Sequence, residues 1–213
     1  MKPERTRIKI CGIREPEHAR LAAAAGADAI GLVFHAKSPR RVEPARAAEI
    51  AASLPPFTLA VALFVNAPRS LVDEVLAQVP VDLLQFHGDE SPEYCAAFGR
   101  PFLRAVRMEE GADLLEYARR FSRAKALLLD AHVPGEPGGT GRSFDWTRIP
   151  RDLPIPIVLS GGLDAANVGR AIREVGPWAV DVSSGVERER GVKDPDRIRE
   201  FIRSVRLEDV RPA

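Results

Sequence analysis

The sequence predicts a single-domain α/β fold, a (β/α)8 TIM barrel spanning residues 1–213. Three observations lead there. Eight short apolar runs begin at residues 7, 29, 58, 82, 102, 126, 155 and 179. Each interval between starts holds one helix and two short loops, which is the signature of repeated βα units and a parallel sheet. No linker or shift in composition divides the 213 residues, and eight units in that length fit a barrel at the small end of its range. A doubly wound open sheet is the runner-up. It usually has fewer strands, and no GxGxxG follows the first run.

The elements follow in order. "RIKIC" at 7–11 is the first strand, and Pro16 suits the first turn of a helix through "EHARLAAAA" that stops at Gly26. "AIGLVF" at 29 and "TLAVALFV" at 58 are strands two and three. "SLVDEVLAQV" then places Leu71, Val72, Val75, Leu76 and Val79 on one helical stripe. "DLLQFH" at 82, "FLRAV" at 102 and "ALLLDA" at 126 are strands four to six. The Gly- and Pro-rich stretch "HVPGEPGGTGR", 132–142, is expected to be a mobile loop after strand six. "IPIVLS" at 155 and "AVDVSS" at 179 complete the set. In the last helix, "DPDRIREFIRSV", Asp194 is the N-cap, Pro195 opens the first turn, and Ile198, Phe201, Ile202 and Val205 share a face.

Composition narrows the function. Lys and Arg total 31 against 30 Asp and Glu, so no basic field points to nucleic acid. Two unclustered cysteines, Cys11 and Cys95, make neither a disulfide scaffold nor a zinc spacing. The polar start "MKPERTRIK" lacks the apolar core of a signal peptide, and no run reaches membrane-span length. The expectation is a cytoplasmic protein without a membrane partner. Cys95 reads as filling and His18 as solvated, while His35 and His132 are too scattered for a metal site.

Strand parity picks out one end of the barrel. Side chains alternate in and out along a strand, and outward residues pack on helices. Ile8 and Ile10, Leu84 and Phe86, Leu127 and Leu129, and Val180 and Val182 form the outward sets. The opposite parity carries Lys9, Cys11, Gln85, His87, Asp130, Asp181 and Ser183. Burying so many polar groups is costly unless they pair with one another or with a ligand. Several stand at strand C-terminal ends, where TIM barrels place their active sites. Lys9 and Asp181 equally read as a buried structural pair.

The loops after strands seven and eight begin "SGGLDAANV" and "SSGVERERG". Small residues with available backbone N–H groups before a helix make an anion cradle, and barrels commonly hold phosphate in these two loops. The candidate phosphate contacts are Gly161, Gly162, Ser183, Ser184 and Gly185.

The segments "KICGI" (9–13), "GADAIGLVF" (26–34), "SPR" (38–40), "VALFVN" (61–66), "LLQFHGDE" (83–90), "LLLDA" with "GGTG" (127–141), "FDW" (144–146), "LSGGL" (159–163) and "VDVSSGVE" (180–187) now stand in one order. In that order they resemble the phosphoribosylanthranilate isomerase family, nearly end to end. The resemblance implies an Amadori rearrangement of N-(5-phosphoribosyl)anthranilate to 1-(2-carboxyphenylamino)-1-deoxyribulose 5-phosphate, the third step of tryptophan biosynthesis from chorismate. By similarity Asp130 is the general acid at the ring oxygen and Cys11 the general base at C2 of the sugar. Arg40 matches the arginine that receives the anthranilate carboxylate, with Arg41 beside it as an alternative. Strand parity, not the resemblance, adds Lys9, Gln85, His87 and Asp181 as further substrate-binding candidates. The implied partner is this phosphosugar–anthranilate substrate alone, with no cofactor and no metal, in a monomer or homodimer.

Elementary chemistry agrees with those roles. The rearrangement needs one acid and one base about a small sugar, and each such group contributes typically about 10²–10⁴-fold. A free thiol has a pKa of about 8.5, so Cys11 needs a lowered pKa or proton transfer within the complex. Lys9, on the same strand face, is a source of positive charge. The alternatives are a related phosphosugar isomerase of histidine biosynthesis, a dual-substrate isomerase and a non-catalytic phosphate-binding barrel. The first would carry Asp where Cys11 stands, and the last would be expected to have lost Cys11 or Asp130.

Overall fold

A computed structural model of the chain describes residues 4–131 and 144–211. The expected loop at 132–142, with His132, lies outside the described residues. Eight parallel strands close a barrel in sequence order. They are β1 (Arg7–Cys11), β2 (Ala29–Val33), β3 (Leu59–Phe64), β4 (Leu83–Phe86), β5 (Phe102–Arg107), β6 (Ala126–Asp130), β7 (Ile157–Leu159) and β8 (Ala179–Val182). Closure comes from β1 pairing with β8, which sets Lys9 opposite Asp181.

Helices α1 (Pro16–Ala25), α2 (Pro44–Ala52), α3 (Arg69–Gln78), α4 (Pro92–Ala96) and α5 (Leu114–Arg120) follow β1 to β5 in turn. Helix α6 (Val168–Val175) follows β7, and α7 (Pro195–Asp209) ends the described fold. Their ends obey the local signals. Pro16 sits in the first turn of α1, and Gly26 closes it in the left-handed conformation at φ 108°. The Asp194 carboxylate accepts the N–H groups of Asp196 and Arg197 at the start of α7.

Two segments differ from the simple βα reading. Between β6 and β7 the described residues hold only the 3₁₀ turn Trp146–Arg148. Pro150, Pro154 and Pro156 follow it, and each removes an N–H that a helix would need. Between β8 and α7 the chain makes a 3₁₀ turn, Ser184–Val186, and a small antiparallel hairpin, β9 (Glu187–Glu189) and β10 (Val192–Lys193). These strands are too short and too charged to show alternation.

The strand parity holds. Ile8, Ile10, Leu84, Phe86, Val180 and Val182 pack in the outer layer with Ala19 and Ala22 of α1, Val72 and Val75 of α3, and Phe201 and Val205 of α7. Leu127 and Leu129 pack on Leu114 and Ala118 of α5. Each fully buried aliphatic side chain of this layer contributes about 1.5–3 kcal/mol. A separate small cluster of Leu103, Ala105, Ala126, Leu128, Val158 and Ala179 fills the N-terminal end of the lumen. The next inward residues on those strands, Asp130 after Leu128 and Asp181 after Ala179, are charged and buried. The lumen is therefore apolar at one end and polar at the other. No described helix is long and apolar enough to cross a membrane.

Candidate active site

The polar end of the lumen opens into a cavity of about 350 Å³ at the C-terminal ends of the strands. Ten of the sequence candidates line it: Cys11, Arg40, Gln85, His87, Asp130, Gly161, Gly162, Asp181, Ser183 and Ser184. Four strands, β1, β4, β6 and β8, and the loops after β2, β4, β7 and β8 thus bring together residues up to 173 positions apart (11 to 184). Lys9 and Gly185 are not among the lining residues. A Cβ on Gly185 would lie 2.0 Å from the Leu163 carbonyl oxygen. Its lack of a side chain lets the loop after β8 close on the loop after β7. Lys9 lies beneath the wall, where its Nζ donates to Asp181 Oδ1 at 2.8 Å.

Cys11 ends β1 and is buried. Burial pushes its thiol above the ordinary value, and Lys9, in hydrogen-bond contact with it, pulls the other way. Burial also works against the charged form of Lys9, but Asp181 and Cys11 outweigh it and hold the ammonium above its usual range. Asp181 thereby keeps a cation beside the thiol inside an otherwise low-dielectric wall.

Across the lumen Asp130 ends β6 and meets His87, whose Nε2 lies 3.1 Å from Asp130 Oδ2. His87 Nδ1 lies 3.0 Å from the amide nitrogen of Gln85. With that nitrogen donating to Nδ1, the imidazole proton is on Nε2 and points at the Asp130 carboxylate. Gln85 is fully buried, and its Oε1 has no partner among the described residues. The three side chains form one file from the barrel interior to the cavity.

Arg40 reaches the cavity over Gly12, which has φ 79° and where a Cβ would come within 2.6 Å of Arg40 Cδ. Its Nε and Nη2 donate to the two carboxylate oxygens of Glu187 at 2.7 and 2.8 Å. Arg41 instead pairs with Glu43 at the surface. Glu187 also accepts from Lys193 Nζ at 2.8 Å. Neither Glu187 nor Lys193 stood out in the sequence, because nothing local in "SSGVERERGVK" says which charges will face inward. An apolar patch of Val33, Leu63 and Val65 lies beside Cys11 on the same wall. Exposed Arg190 stands at the rim.

The other singled-out residues fall outside the site. Cys95 is core, and burial raises its thiol to about 12. His18 is half-buried on α1, not fully solvated. Among the described residues no group of three or more His, Cys, Asp or Glu is gathered to hold a metal ion.

Comparisons with known proteins converge on one family. The family model described as N-(5'phosphoribosyl)anthranilate (PRA) isomerase matches residues 8–204. The N-(5'-phosphoribosyl)anthranilate isomerase of Alcanivorax borkumensis is 54% identical over 211 residues, covering 96% of this chain and 97% of that one. Monomers of the dimeric phosphoribosylanthranilate isomerase from Thermotoga maritima superpose with a TM-score of 0.84 at 37% identity, covering 95% of this chain and 99% of that one. A phosphoribosyl anthranilate isomerase in complex with reduced 1-(o-carboxyphenylamino)-1-deoxyribulose 5-phosphate gives a TM-score of 0.84 at 39% identity, with the same coverage of both chains.

Proposed function

The chain belongs to the N-(5'-phosphoribosyl)anthranilate isomerase family, and from that premise we propose how its barrel mouth carries out the rearrangement of the aminoaldose to the aminoketose. One observation carries the reading: Cys11 on β1 and Asp130 on β6 line a single cavity that also receives Arg40 and the loops after β7 and β8. A substrate with a phosphate at one end and a carboxylate at the other fits such a mouth. The phosphate goes to the rim of Gly161, Gly162, Ser183 and Ser184, and the aromatic carboxylate to Arg40. The apolar patch of Val33, Leu63 and Val65 suits the aromatic ring.

In the first step the Asp130 carboxyl gives its proton to the furanose ring oxygen. The C1–O bond breaks with its electron pair going to that oxygen, and the nitrogen lone pair forms the protonated imine. Cys11, as thiolate, then takes the proton from C2. The C–H pair becomes the C1–C2 double bond, and the imine pair returns to nitrogen. The enolamine gains a proton at C1 and loses its hydroxyl proton at C2 to give the ketone. His87 supports Asp130 by donating to the carboxylate left after the first transfer. The steps require acid–base groups and positioning, with no change in redox state overall.

Loss of substrate fluorescence on freshly prepared phosphoribosylanthranilate tests this. Rapid turnover by the native enzyme and a fall of about 10²-fold or more for Cys11→Ser support reaction and base together. Turnover unaffected by the substitution dismisses Cys11. For the carboxylate end, Arg40→Lys should raise KM, because a planar carboxylate suits the arginine fork. An unchanged KM removes Arg40 from the site.

A further inference from the structure

We propose that Glu187 is a positioning residue of this site: it holds the Arg40 guanidinium by one edge so that the other edge faces the substrate carboxylate. The proposal rests on the reading of Arg40 given above and adds what makes that arginine effective. A guanidinium has two bidentate edges. Glu187 takes the side-on edge, Nε and Nη2, with both of its oxygens. That leaves the end-on edge, Nη1 with the second Nη2 proton, on a residue that lines the cavity.

The carboxylate is itself fixed from two further sides. The Gly191 N–H donates to Glu187 Oε2 at 3.1 Å, and Lys193 Nζ donates to Oε1 at 2.8 Å. Gly191, in the β9–β10 turn, also lies against the carbonyl oxygen of Pro39, the residue before Arg40. The hairpin therefore packs closely beside the backbone that leads into Arg40 and binds the arginine head through Glu187.

Charge gives a second reason for this carboxylate. Arg40 and Lys193 are both buried, Lys193 at 2% exposure. Without Glu187 two cations would face each other there. With it the group keeps one net positive charge, which suits a ligand anionic at both ends. Lys193 Nζ also donates to the Ser183 carbonyl at 2.9 Å, and Ser183 Oγ donates to the Cys11 carbonyl at 3.1 Å. A long side chain held in its binding conformation before the ligand arrives loses less freedom on binding.

The test compares Glu187→Gln, Arg40→Met and the double variant by steady-state kinetics, with inorganic phosphate as a competing probe. Glu187→Gln should raise KM about tenfold with kcat within about threefold of native. Its inhibition by phosphate should stay within about twofold of native. In the Arg40→Met background, Glu187→Gln should add nothing to KM, since its effect runs through Arg40. A general loss of structure would instead lower kcat, weaken phosphate and add to Arg40→Met. That result, or a native KM in Glu187→Gln, overturns the proposal. A native KM in Arg40→Met would instead overturn the reading of Arg40 itself. Should Glu187→Gln not fold, Glu187→Asp keeps the charge but withdraws the carboxylate. It must then raise KM with kcat preserved, and a native KM would overturn the proposal.

Discussion

Lys9 Nζ and Asp181 Oδ1 stand 2.8 Å apart inside the barrel wall, both almost wholly buried, directly under the thiol of Cys11. The pair is structural in its bonding and electrostatic in its effect. It places a neutralised cation where a thiolate must form.

Lys9→Met should therefore move the alkylation of Cys11 by iodoacetamide to higher pH. Burial raises the thiol, Lys9 lowers it, Asp181 raises it, and Lys193 lowers it less than Lys9 does. Removing Lys9 deletes the larger lowering partner and leaves burial and Asp181 in place, so the shift has one sign. The rate of alkylation against pH measures it. An unchanged profile means that Lys9 does not tune the thiol.

Asp130→Asn keeps the shape of the acid and removes its proton. kcat should fall about 10²-fold or more while KM changes little. A large rise in KM at native kcat would make Asp130 a binding group instead.

Gln85→Leu removes the amide that faces His87 Nδ1. The imidazole should then sample both tautomers, visible as a change in its ring ¹⁵N shifts, and kcat should drop about tenfold. Native shifts in the variant would show that Asp130 alone sets the tautomer.

Acid stability should report the Glu187 cluster. Burial would raise this carboxylate, but the hydrogen bonds from Arg40 and the charge of Lys193 hold it at about 2, against an ordinary 4.5. A depressed carboxylate stabilises the fold above its unfolded pKa, and that contribution is lost as pH falls from 4.5 toward 2. Urea midpoints of the native protein should fall across this window more than those of Glu187→Gln. Parallel curves would show that the cluster does not favour the charged form.

Phe201→Ala, on the buried face of α7, should cost about 3–5 kcal/mol through lost burial and a cavity. It should lower Tm and leave KM unchanged where the protein is folded. A Tm within a degree or two of native would place Phe201 outside the core.

The order of the strands, their inward parity and the identity of the mouth were legible in the chain itself. Alternation and βα spacing are local, and Ile8 against Lys9 or Leu129 against Asp130 can be sorted without knowing any partner. The caps at Gly26 and Asp194 are local too. The hairpin at 187–193 was not legible, because two- and three-residue strands carry no periodicity. Nor was the bond between Arg40 and Glu187, which joins positions 147 apart. The sequence determined which residues reach the C-terminal end of the barrel. Only the tertiary structure decided which charges meet there, because charge pairing depends on closure, and closure brings β8 and its hairpin beside β1 and the loop after β2.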